Sequence, residues 1–254
     1  MTLFSANLGF LWQDLSLPDA VRAAKAAGFD AVECHWPYAV PVDDLCLALQ
    51  ETGLVMLGLN TSRGNPSAGD NGLAAIPERV DEARTAIRQA VDYAVAIGTP
   101  NIHVMAGKTE GETAHQTFIE NLDFACGLAT EHGKTILIEP LNTRDAPGYF
   151  LNTSAQALSI IEAVGRNNLK LMFDCYHLQI MEGDLTRRLE RLLSVIGHIQ
   201  IAAVPDRGEP DQGEVDYRYV LKALEGLGYV KPIGAEYRPR STTNAGLGWM
   251  EVLR

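Results

Sequence analysis

The 254-residue chain is 46% hydrophobic and 21% charged, the balance of a globular protein able to bury a full core without staples. A net charge of −11 repels phosphate backbones and argues against a nucleic-acid role, and no run approaches the ~20 apolar residues of a membrane span. A small anionic substrate is still allowed, because Arg63, Lys108, Arg207, Arg238 and Arg240 can override the global field locally.

One pattern recurs along the chain. A short apolar run ends in a polar residue, a loop follows, then an amphipathic stretch and a turn. Strands are expected at 3–7, 30–35, 54–60, 101–105, 135–139, 169–174, 196–201 and 233–237, all β-branched or Leu-rich runs of the kind buried on both faces. Between them, helices are expected at 18–27, 78–97, 113–131, 154–164, 217–226 and 244–253. The first opens with Pro18 and stops at Gly28, and the fourth follows Thr153 as N-cap and stops at Gly165. Long loops are expected at 60–77 and 202–216. Strands alternating with helices over this length indicate an α/β chain folded as a single (β/α)8 (TIM) barrel spanning 1–254. A doubly wound open sheet would need a phosphate-binding glycine fingerprint after an early strand, and the first loop, GFLWQDLSLP, has none. Cys34, Cys46, Cys126 and Cys175 form no CxxC pair, and MTLFSANLGF has no basic leader, so a cytoplasmic protein with reduced thiols is expected. Assembly into a homo-oligomer stays open.

The last polar residues of strands 5 to 8 are Glu139, Asp174, Gln200 and Glu236, and the earlier strands offer Asn7, Glu33, His35, Asn60 and His103. Strand C-terminal ends point to one mouth of a barrel, so these side chains converge. A single Glu ending a strand is usually a helix cap or a loop ion pair. Three carboxylates and an amide at one strand position are different, because crowded buried carboxylates repel unless a cation joins them. The all-oxygen donor set predicts one hard divalent cation, Mg²⁺ or Mn²⁺, held by Glu139, Asp174, Gln200 and Glu236. Glu139 and Glu236 face each other across the mouth, and a substrate between them can lose a proton to one and regain it from the other. An enediol-type isomerisation needs that arrangement.

Substrate contacts are expected from His177, in the loop after strand 6, and from Arg207, a carboxylate clamp on the acidic loop DRGEPDQGE. Glu209 is expected to support Arg207, and Asp145 to hold a substrate hydroxyl. Asn7 and Lys108 are further candidates, and His103 either faces the cavity or packs locally. His198 lies in a deeper barrel layer or supports a site residue. His35, His115 and His132 are expected in loops or at the surface. Trp12, Trp36 and Tyr38 wall a sugar pocket or join the core.

The segments FSANLGF, GFDAVE, IHVMAGKT, IEPLNTRDAPGYFL, FDCYHLQIMEGDL, GHIQIAAVPDRGEPDQGEVDY and GAEYRPRSTTNAGLGW together resemble the hydroxypyruvate isomerase family of xylose-isomerase-like barrels, over almost the whole chain. The resemblance implies that Glu139 and Glu236 are an acid/base pair and that Glu139, Asp174, Gln200 and Glu236 hold the metal. It also implies a small 2-oxo acid or sugar acid as substrate. Two reactions occur in the family: hydroxypyruvate to tartronate semialdehyde, and 2-oxotetronate to 3-oxotetronate. HVMAG, VPDRGEPDQGE and EYRPR look more like the second branch, whereas LWQDLS and the region of Asn65 and Pro66 depart from common members. The alternatives are a ketose 3-epimerase on the same barrel, which usually carries His where Gln200 stands, an apurinic endonuclease-like barrel, and a non-catalytic sugar-acid binder.

Overall fold

The computed structural model describes residues 2–254. The strands are β1 (Phe4–Asn7), β2 (Ala31–Glu33), β3 (Gly58–Asn60), β4 (Asn101–His103), β5 (Thr135–Ile138), β6 (Leu169–Asp174), β7 (Ile196–Ile201) and β8 (Ile233–Ala235). They form one parallel sheet in the order β2-β1-β8-β7-β6-β5-β4-β3. The two ends of that order meet. Val32 and Met56 form a parallel bridge, and Val32 donates to the Val55 carbonyl (3.0 Å), Leu57 to Val32 (2.7 Å), Cys34 to Gly58 (3.1 Å) and Asn60 to His35 (2.8 Å). The sheet therefore closes into a barrel and leaves no long edge open to pairing.

The helices are α1 (Leu17–Ala26), α2 (Val42–Thr52), α3 (Val80–Ala96), α4 (Glu112–Thr130), α5 (Ser154–Val164), α6 (Cys175–Met181), α7 (Leu185–Leu192), α8 (Tyr217–Gly226), α9 (Thr243–Gly246) and α10 (Trp249–Leu253). None among the described residues is long and apolar enough to cross a membrane. Ser16 and Thr153 cap α1 and α5 with their side chains, each such cap being worth about 1 kcal/mol.

Strand alternation places the chemistry. Phe4 packs outward, its ring 4.9 Å from Trp249 and edge-on to it. Ser5 and Asn7, on the opposite face, bond to Glu33 and Glu236 inside the barrel. The same period of two sends Ile136, Leu171 and Ile199 toward the helices and Leu137, Met172 and His198 into the lumen.

All eight expected strands are present, with three departures among the helices and four strands (β2, β3, β4 and β8) shorter than expected by two residues or more. Helix α2 was not expected, although Leu45, Ala48 and Leu49 are its buried face, Asp43 and Asp44 lie in its first turn and Gly53 ends it at φ 66°. Helices α6 and α7 also lie where only a loop was expected. The single helix expected over 244–253 is two short pieces, α9 and α10. The strand expected over 101–105 ends at His103, because Met105 and Ala106 turn their carbonyls to the incoming loop: Leu73 and Ala74 both donate to Met105 (3.2 Å) and Ala75 to Ala106 (2.7 Å). The strand expected over 54–60 is regular only over Gly58–Asn60.

Candidate active site

Asp174 ends β6, Gln200 lies near the end of β7, and Glu139 and Glu236 directly follow β5 and β8. All four are buried. Glu139, Asp174, His177 and Glu236 each offer a ligand atom, and these atoms lie within 4.8 Å of one another, a buried cluster able to hold a metal ion. Glu139 Oε1, Asp174 Oδ2 and Gln200 Oε1 are buried acceptors with no hydrogen-bond donor among the described residues. A buried acceptor left unpaired costs about 1–3 kcal/mol, so three together fit a cation that would use their lone pairs.

The charges in this cluster are unequal. Burial raises the Glu139 carboxyl well above the carboxylate range, and the nearby charges of Glu236 and Asp174 raise it further. Asp174 is pushed up to about 7, by burial first and then by Glu236. Burial also disfavours the charged form of Glu236, but Arg207 and His35 outweigh it and hold that carboxyl below the ordinary range. Arg207 Nη2 lies 2.5 Å from Glu236 Oε2 and 3.7 Å from Asp174 Oδ2. Its guanidinium is held between the rings of Phe10 and Tyr176, at 4.7 and 4.9 Å.

Below this layer is a second polar layer. The Glu33 carboxylate accepts from Ser5 Oγ (2.6 Å) and Gln200 Nε2 (2.8 Å), and His198 Nε2 lies 3.0 Å from it. Glu33 thereby fixes the Gln200 amide, with its nitrogen down and its oxygen free. His198 is thus the deeper-layer residue that strand alternation allowed. Strand β8 approaches so closely that a Cβ at Gly234 would come within 2.3 Å of Glu33 Oε1 and 2.8 Å of Gln200 Cγ. Gly234→Ala is expected to destabilise the fold by about 1–3 kcal/mol through overpacking. Thermal melting checks this, and an unchanged midpoint would contradict the packing of this layer.

His177 lies on α6 and not in a loop, because Asp174 Oδ1 accepts from the Tyr176 amide (2.7 Å) and starts a helix at once. The Asn142 amide donates to His177 Nδ1 (2.9 Å). Burial, then Arg207, lowers the His177 pKa to about 3, so the ring is neutral. Its proton therefore sits on Nε2, 3.6 Å from Asp174 Oδ2 and 3.9 Å from Glu139 Oε1. In this tautomer His177 presents a donor, not a metal lone pair, and the oxygen donors remain Glu139, Asp174, Gln200 and Glu236.

A cavity of about 170 Å³ opens above the cluster. Glu139, Glu236, His177, His103, Asp145 and Arg207 line it. Burial lowers the His103 pKa to about 3, and its Nδ1 lies 3.6 Å from Glu139 Oε2. Asp145 accepts from the Tyr176 hydroxyl (2.9 Å) and from Arg207 Nη1 (3.4 Å). Asn7 lies deeper, where its Nδ2 donates to Glu236 Oε1 (2.8 Å).

Two expectations are corrected and a third is narrowed. Lys108 is exposed and does not line the cavity: the chain turns at Gly107 (φ 101°) and carries it outward. Glu209 neither supports Arg207 nor faces the cavity. The loop turns at Arg207 (φ 58°), and Glu209 is buried against Arg240, accepting from its amide (3.1 Å) and pairing with its Nη1 (3.2 Å). His35 lies in the loop after β2, as one of its two expected placements had it, but not at the surface: its side chain is 15% exposed and its Nε2 lies 3.1 Å from Glu236 Oε1. Its place two residues past Glu33, just beyond the mouth end of β2, was the signal for it. Of the aromatics, Trp12 is core, whereas Trp36 lines the cavity.

The family described as Xylose isomerase-like TIM barrel matches residues 21–253. The chain belongs to that family. This xylose isomerase-like TIM barrel is 46% identical to the 2-oxo-tetronate isomerase of Cupriavidus necator, over 99% of this chain and 98% of the relative. It is 39% identical to the hydroxypyruvate isomerase of Escherichia coli, over 100% of both chains. A crystal structure described as AP endonuclease, family 2, from Brucella melitensis covers 100% of both chains with a TM-score of 0.96 at 40% identity. An E. coli 3-keto-D-glucoside 4-epimerase matches at TM-score 0.83 and 21% identity, over 99% of both chains, which shows the barrel alone. Within the xylose isomerase-like barrels the chain falls among the hydroxypyruvate and 2-oxo-tetronate isomerases, and it is an isomerase.

Proposed function

We propose that this chain converts 2-oxotetronate to 3-oxotetronate by proton transfer between Glu139 and Glu236, with one Mg²⁺ or Mn²⁺ held by Glu139, Asp174, Gln200 and Glu236. The observation that carries the metal is the trio of buried, donorless oxygens on Glu139, Asp174 and Gln200. Hard oxygen donors without thiolate or imidazole favour Mg²⁺ or Mn²⁺. When bound, such a cation supplies Lewis-acid polarisation of a carbonyl and the hydroxyl beside it.

The chain's own groups do the rest. One glutamate removes the proton from C3, the C3–H electron pair becomes the enediol double bond, and the other glutamate delivers a proton to C2. The hydroxyl proton on C3 is lost as that oxygen becomes the new carbonyl, and the old carbonyl oxygen gains one. Arg207 and His35 hold Glu236. His177 Nε2–H and Asp145 line the same cavity and are placed to orient the substrate's oxygens. Burial keeps His103 and His177 neutral, and the carboxylates carry the proton traffic.

The substrate assignment draws on the Cupriavidus necator relative. Hydroxypyruvate, with one carbon fewer, fits the same chemistry. The cation-loaded enzyme is expected to show a kcat/KM for 2-oxotetronate at least about tenfold above that for hydroxypyruvate. The reverse order would move it to the other branch, and silence on both acids would sink the isomerase assignment to such acids. A nuclease role, suggested by the description of the Brucella melitensis structure, would need a basic face for a phosphate backbone, and the net charge is −11. Four free cysteines fit a reducing, cytoplasmic setting.

A further inference from the structure

Two arginines in the active-site cavity have no assigned role. Arg63 and Arg238 both line it, and neither makes an ion pair or side-chain hydrogen bond with any described residue. Every other charged group there is engaged: Arg207 with Glu236, Asp174 and Asp145, and Glu139 within the carboxylate cluster.

Arg63 is held in place. Its guanidinium lies 4.3 Å above the Trp36 ring, and Trp36 is itself anchored by donating from Nε1 to the Thr61 carbonyl (3.1 Å). The Arg63 carbonyl accepts from Gly72 (3.0 Å), and the following residues of that loop are tied to Met105 and Ala106. Gly72 makes this possible: at φ 106° a Cβ would stand 2.6 Å from the Met105 carbonyl oxygen. Arg238 is tied through its backbone, which donates to the Arg207 carbonyl (2.7 Å), and its guanidinium lies 6.0 Å from the Phe10 ring. A guanidinium stacked on a ring keeps its N–H edge free for a carboxylate.

A 2-oxo acid has two ends with opposite needs. Its carbonyl and neighbouring hydroxyl belong beside Glu139 and Glu236. Its carboxylate is repelled by those same carboxylates and cannot share Arg207, whose guanidinium they already use. We propose that Arg63 and Arg238 form the subsite for the substrate's carboxylate, selecting acids over uncharged ketoses. This rests on the isomerase reading above and names the group that sets its specificity.

The test compares an acid with its uncharged counterpart. Erythrulose is 2-oxotetronate with the carboxylate replaced by a hydroxymethyl group. On Mg²⁺-loaded enzyme, kcat/KM is measured for 2-oxotetronate and the inhibition constant for erythrulose, in wild type and in Arg63→Met and Arg238→Met, which keep an apolar stem. Losing a charged hydrogen bond corresponds to roughly tenfold or more. Each variant is expected to lower kcat/KM for the acid by about that factor and to leave the erythrulose constant within about twofold. An unchanged kcat/KM for the acid overturns the subsite, and so does an equal loss for acid and ketose, which marks a merely structural effect. A wild-type enzyme that isomerises neither 2-oxotetronate nor hydroxypyruvate overturns the functional reading itself, and the subsite with it.

Discussion

Glu139→Gln and Glu236→Gln are each expected to lower kcat by about 10²–10⁴-fold, the usual contribution of a positioned acid or base, while circular dichroism stays unchanged. Gln keeps the volume and an oxygen for the cation but loses the negative charge and the ability to carry a proton, so both variants are assayed at saturating Mg²⁺. Exchange of the C3 hydrogen in deuterated water then separates the pair. The variant lacking the group that reprotonates C2 should still exchange C3, and the variant lacking the base should exchange nothing. Near-normal turnover by both variants would sink the acid/base assignment.

Removal of the metal is expected to be as severe. Exhaustive chelation should abolish isomerisation, and Mg²⁺ or Mn²⁺ should restore it. Full activity in metal-free protein would refute the cation site. The same site predicts a stability signature that needs no substrate. Asp174 takes up its proton at about 7 in the folded chain against an ordinary value of 3.8. Between those values the folded state holds more protons than the unfolded one, so metal-free stability falls as pH rises from about 4 through 7. Asp174→Asn removes that penalty and keeps an N-cap. Its metal-free melting temperature at pH 8 should exceed that of wild type, at roughly 2–4 °C per kcal/mol for a domain approaching this size, and the rise on adding Mg²⁺ should vanish.

Much of this site could be read from the sequence because a barrel turns a one-dimensional regularity into a place. The residues ending β5 to β8 share a mouth whatever their loops do, so Glu139, Asp174, Gln200 and Glu236 were visible as a set. Most of the misses depend on where a chain goes after leaving a strand. Glu209 and Lys108 are charged and close in sequence to the site, but turns at Arg207 and Gly107 carry them away. Arg63 was visible as a cation available to an anionic substrate, but its place at the mouth depends on Gly72, which lets its loop lie against Met105. Glu33 was visible as a strand-end carboxylate, but its hold on the Gln200 amide depends on strand register across the lumen. Helix α6 was hidden for a local reason: no turn separates it from β6, so DCYH looks like a loop.

That missing turn limits how position 174 can vary over evolutionary time. One carboxylate oxygen of Asp174 starts α6 and the other faces the cluster. Serine or threonine would keep the helix start without the negative charge, and glutamate would keep the charge without the cap geometry. Drift at this site therefore runs through a bottleneck where folding and chemistry are selected together, and recruiting the barrel for a new reaction is easier through the loop that carries Arg63 than through the end of β6.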